Sequence, residues 1–194
     1  MKGAGILWGF VPLVAYAVLS GGSPGQTELA LLAALIAAVA AGWHDFRKGR
    51  IMAWANLAIF GLPLAALGLL SQAWIISWMN VFVFAGLATV AFGSLLARRP
   101  FTLPYAREMV PPEVQAHPGF LAVNRLMTGV WGAVFAAGLA LSAVSAAGPP
   151  GDRGVLQVLT YAVLAAGIAF TLWYPSHVRK TRGGGATREE GGAG

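Results

Sequence analysis

Six runs of apolar residues divide this chain, each close to the length of a bilayer crossing and most joined by short loops. A hydrocarbon core about 30 Å thick takes about 20 residues of helix to cross. The runs lie near Gly5 to Ser20, Glu28 to Trp43, Ile51 to Leu70, Trp74 to Ala97, Phe120 to Ala147 and Val155 to Tyr174. Only 10% of the 194 residues are charged and 57% are hydrophobic, whereas a soluble domain carries about a quarter charged residues. The pattern predicts an all-α polytopic membrane protein, a bundle of six transmembrane helices filling residues 1–176, followed by a disordered basic, glycine-rich tail over residues 177–194.

The first run, with Lys2 ahead of a short apolar stretch, also fits a signal peptide, but no clear small-x-small cleavage site precedes SGGSPGQ. An uncleaved first helix, with Pro12 as a source of a kink, is therefore expected.

Orientation follows from where the cations fall, because basic residues resist translocation and stay in the cytoplasm. Six crossings put Lys2, Arg47, Lys48, Arg50, Arg98, Arg99, Arg107, Arg179, Lys180, Arg182 and Arg188 on one side, with Arg125 just inside the membrane there. Arg153 alone falls on the other. Both termini are thus predicted to be cytoplasmic. The net charge of +6 does not imply nucleic acid, since the cations sit at the ends of apolar runs instead of striping a soluble face.

The second run, ELALLAALIAAVAAGW, repeats Ala30, Ala34, Ala38 and Ala33, Ala37, Ala41 at four-residue spacing. Small residues let helix backbones approach in lipid, so this helix is expected to be central; the alternative is alanine-rich composition alone. Trp43, Trp54, Trp74, Trp78, Trp131, Trp173 and Tyr174 fall mostly near run ends and are read as interfacial anchors.

The longest loop, RRPFTLPYAREMVPPEVQAHPGF, holds Pro100, Pro104, Pro111, Pro112 and Pro118, which rule out one continuous helix. Residues 98–119 are expected to form an ordered interfacial segment, with Phe101, Leu103, Tyr105, Met109 and Val110 on the headgroup layer and the arginines facing phosphates. The loop runs into the fifth helix, where Asn124, Arg125 and Thr128 are spaced to share one polar flank. An intramembrane arginine is a functional candidate, but this one also fits snorkelling or pairing with Glu108 or Glu113. Arg98, Arg99, Tyr105, Arg107, Asn124, Arg125 and Thr128 are accordingly the residues expected to meet lipid headgroups or a partner.

Asn56 and Asn80 are the other polar groups inside helices, read first as interhelical hydrogen-bonding residues and otherwise as lining a cavity. No Asp or Glu lies deep in a run, which argues against a carboxylate proton relay. His44, His117 and His177 sit at run ends or in loops without metal-ligand spacing. There is no cysteine, P-loop, GxGxxG or GxSxG. These features predict no enzyme, no metal site and no cofactor.

The segments FVPLVAYAV, HDFRKGRIMA, RRPF, NRLMTGVWGAVF and FTLWYPSHVRK, spread over residues 8–180, resemble the bacterial intracellular septation protein A family. PFTLPYARE with PPEV and NRLMTGVWG is similar to an uncharacterised related branch of bacterial membrane proteins. The resemblance implies a non-enzymatic role in envelope maintenance or septation, exerted through lipids and membrane-protein partners or a second copy, and it supplies no catalytic residues. The longer Arg98 to Phe120 loop and the glycine-rich tail depart from it. Two other readings fit the composition: a small-solute or lipid transporter using Asn56, Asn80, Asn124 and Arg125, and an accessory subunit of a membrane complex.

Overall fold

The computed structural model describes residues 9–20, 24–70 and 73–189, which among themselves are all-helical with no strand. In chain order the elements are α1 (Val11–Leu19), α2 (Pro24–Arg47), α3 (Ile51–Leu70), α4 (Ala73–Leu96), α5 (Leu103–Met109), α6 (Pro112–Gln115), α7 (Pro118–Ala147), a 3₁₀ turn (Pro150–Asp152) and α8 (Arg153–Glu189). Among the described residues five helices, α2, α3, α4, α7 and α8, are long and apolar enough to cross a membrane. The first predicted run begins at residues outside the described part, and nine residues of it form α1. The helical assignment of α8 continues through Pro175 to Glu189, beyond the Tyr174 limit drawn from hydropathy.

Prolines open several of these helices for a common reason. Pro24, Pro112 and Pro118 take the first helical position, where the missing N–H has no intrahelical acceptor to lose. His117 caps α7, its ring Nδ1 accepting from the Gly119 N–H at 3.0 Å.

Helices pack in the sequence α1·α2, α2·α3, α3·α4, α4·α7, α7·α8, and α4 against α7 is the most extensive pairing. Glycine sets that approach: a Cβ on Gly138 would lie 2.5 Å from the Phe84 ring, and one on Gly132 would lie 3.0 Å from Phe92. The most enclosed of the five long helices is α4 and not the alanine-rich α2. In α2 the ladder Ala30, Ala34, Ala38 is buried, while Ala33, Ala37 and Ala41 are only half-buried.

The centre of the bundle is aromatic. Phe10, at the entry to α1, stacks on Trp131 of α7 with centroids 4.0 Å apart and meets Phe101 edge-on at 6.2 Å. Trp131, expected at the headgroup layer, is instead 1% exposed and donates its Nε1–H to Thr171 Oγ1 at 3.0 Å. Trp43, Trp54, Trp78 and Trp173 do face outward, as anchors would. The side chain of Trp74 lies outside the described residues.

Candidate functional site: a pinned basic cap and a polar cavity

Two helices end at the basic end of the bundle with the same hydrogen-bonded turn. At the close of α2, the Gly49 N–H donates to Phe46 O and the Arg50 N–H to Asp45 O. At the close of α4, the Arg98 N–H donates to Leu95 O and the Arg99 N–H to Ser94 O. This turn needs a left-handed residue, normally glycine. Gly49 supplies it at φ 64°, but in α4 the position is filled by Arg98 at φ 56°. A side chain there costs about 1–2 kcal/mol.

The chain then turns inward. The Phe101 N–H donates to Ser94 Oγ at 3.2 Å, and Pro100, Phe101 and Thr102 are buried. Thr102 Oγ1 lies 2.9 Å from Thr128 Oγ1 and within hydrogen-bond reach of the Asn124 carbonyl and side-chain oxygens, at 3.1 and 3.3 Å. Asn124 Nδ2 in turn donates to Phe120 O at 2.8 Å. This buried knot ties the start of the loop to α7.

A second tie joins the loop to the α2–α3 connection. Arg50 is 8% exposed and pairs with Asp45 at 2.7 Å and with Glu108, and its guanidinium lies over the Tyr105 ring at 4.6 Å. Lys48 Nζ meets the same Glu108 oxygen at 2.7 Å. The bond from Arg50, then that from Lys48, holds the Glu108 carboxyl below its ordinary value. Burial, then the Asp45 charge, pushes the Tyr105 phenol up. Its hydroxyl is buried without a hydrogen-bond partner among the described residues.

The predicted polar residues therefore divide. Asn124 and Thr128 face inward to Thr102, whereas Arg125 is exposed and shares no flank with them, because one residue step turns a helical side chain by about 100°. Nor does Arg125 pair with Glu108, which is taken by Lys48 and Arg50. Phe101 and Tyr105, expected on the headgroup layer, are packed into the protein. Arg98, Arg99 and Arg107 remain exposed. Thr102 and Arg50 were not singled out by sequence, though the HDFRKGR charge pattern held a signal for the latter.

Asn56 donates Nδ2 to Gly9 O at 2.9 Å and is buried between α3 and the entry to α1. Asn80 differs: it faces a partly open cavity of about 160 Å³ at the opposite end of the bundle, lined by residues of α1, α2, α4, α7 and α8. There the Tyr16 hydroxyl donates to Asn80 Oδ1 at 2.6 Å. Tyr161 donates to Ala17 O at 2.7 Å, and Gln157 Nε2 donates to Tyr161 Oη at 2.6 Å and to Ser20 O at 3.3 Å. These bonds satisfy carbonyls that the C-terminus of a helix otherwise leaves open. Phe84 and Leu13 are among the apolar residues lining the cavity.

No protein-family model, curated protein or solved structure matches this chain.

Proposed function

We propose that this chain is a six-span inner-membrane scaffold, both termini cytoplasmic, that supports envelope maintenance or septation by holding a rigid basic cap against anionic headgroups and membrane-protein partners or a second copy. It is non-enzymatic in this reading. The observation that carries it is the pinned loop: Thr102, Asn124 and Thr128 on one side and Arg50 with Glu108 on the other hold it fixed while Arg98, Arg99, Arg107 and Arg125 stay exposed. Cations at the surface of an anionic leaflet contribute about 1 kcal/mol each. Arg98 adds weight, because strain kept at one position is a mark of a functional constraint.

Affinity purification from native membranes tests the reading, with Arg98, Arg99 and Arg107 changed together to Gln as the comparison. Recovery of envelope or division proteins that falls with the triple variant supports it. Equal recovery with both, or a C-terminal reporter active only in the periplasm, refutes it. A second reading, a carrier of small solutes or lipids, is favoured by the cavity at Asn80. It requires the aromatic packing of Phe10, Trp131 and Phe135 to open, and flux into proteoliposomes separates it from the first.

A further inference from the structure

The cavity at Asn80 has a charge and hydrogen-bonding character that the cap does not explain. Three threonines inside helices bond their own preceding turn: Thr89 to Ala85 O, Thr160 to Leu156 O and Thr171 to Gly167 O, at 2.8–2.9 Å. Ser142 and Ser145 of α7, which line the cavity, make no such bond, nor any other hydrogen bond among the described residues. Ser142 is 6% exposed and lines the cavity. A cavity-lining hydroxyl without a protein partner is free to bond water or a ligand. Asn80, itself exposed, accepts from Tyr16 through Oδ1, and its Nδ2 makes no hydrogen bond among the described residues.

The charge on this lining has one sign. Arg153 lines the cavity, while no Asp or Glu does, and Arg153 has no ion pair among the described residues. Glu28 and Asp152 belong to the same end of the bundle but do not line the cavity. A volume of about 160 Å³ holds on the order of ten waters, hence also a phosphate group with part of its hydration. A guanidinium fork with hydroxyl and amide donors from other helices suits an acceptor that presents oxygens in several directions.

We propose that this cavity binds a phosphate-like oxyanion, with Arg153 as its counter-charge and Asn80, Ser142 and Ser145 as donors. The same chemistry is offered by a phospholipid headgroup entering from the bilayer and by free phosphate from solution. This site lies at the end of the bundle away from the cap and stands whether or not the scaffold reading does.

The test uses the full chain. Protein purified in mild detergent is examined by native mass spectrometry for retained phosphatidylglycerol and titrated with orthophosphate by calorimetry, alongside Arg153→Gln, Arg153→Lys, Ser142→Ala and the triple arginine variant of the cap. Expected is binding at one site per chain, weakened at least tenfold by Arg153→Gln, largely restored by Arg153→Lys, weakened by Ser142→Ala and unaffected by the triple variant. Phosphatidylglycerol retained and not displaced by orthophosphate identifies the lipid source; saturable orthophosphate binding identifies the soluble one. Binding of neither probe, or equal binding by wild type and Arg153→Gln at unchanged thermal stability, overturns the proposal.

Discussion

Phe10 and Trp131 stack with their ring centroids 4.0 Å apart and planes 21° apart, joining the entry of α1 to the middle of α7 across 121 positions of sequence. Both are almost wholly buried, and Phe101 and Phe135 close around them. Phe10→Ala removes the ring from a packed core, a change that costs about 3–5 kcal/mol. Thermal unfolding in detergent, followed by tryptophan fluorescence, should show that loss. A variant as stable as wild type would mean that α1 is not seated against α7.

Arg98 holds a left-handed backbone that Gly49 adopts freely in the equivalent turn of α2. Arg98→Gly therefore raises stability by about 1 kcal/mol, while binding of the protein to anionic nanodiscs weakens. The opposite result on stability would show that the guanidinium contributes more to folding than the backbone strain removes.

The Thr102, Asn124, Thr128 knot fastens the loop to α7. Asn124→Ala removes the side-chain bonds to Thr102 and to Phe120 O while Thr102 keeps the residue-124 carbonyl and Thr128, at a cost of about 1 kcal/mol. Limited proteolysis between residues 103 and 117 should accelerate in this variant before global unfolding does. A double-mutant cycle on Thr102→Val and Thr128→Val should give a coupling of about 1 kcal/mol; strict additivity would mean that the 2.9 Å contact contributes nothing.

Glu108 is held below its ordinary 4.5 by Arg50 and Lys48. As pH falls, the unfolded chain takes up this proton first. The stabilisation from Glu108 is complete above that ordinary value and drains away as pH falls through the lower folded value. With the carboxylate half exposed, it amounts to about 1 kcal/mol at most. Melting temperatures of wild type and Glu108→Gln should differ at pH 6 and converge once pH falls below the folded value. Arg50→Gln, which strands the less exposed Asp45 carboxylate, should cost more at pH 6, about 3 kcal/mol.

Hydropathy was sufficient to mark the long helices, because a run of apolar residues near 20 has few other ways to satisfy its backbone in lipid. The prolines of the loop likewise ruled out one continuous helix, since proline opens a helix readily and continues one poorly, but they did not report the short α5 and α6. Which way each side chain points was another matter. Asn124 and Arg125 are neighbours in sequence, yet one closes a buried knot and the other is exposed, a difference set by the rotation of α7 against α4 and by the loop that folds over it. Trp131 reads as an interfacial anchor until Phe10 and Thr171 are seen to enclose it. The cavity at Asn80 draws its lining from five helices, so no local pattern could report it; only the packing of distant segments brings those groups to one place.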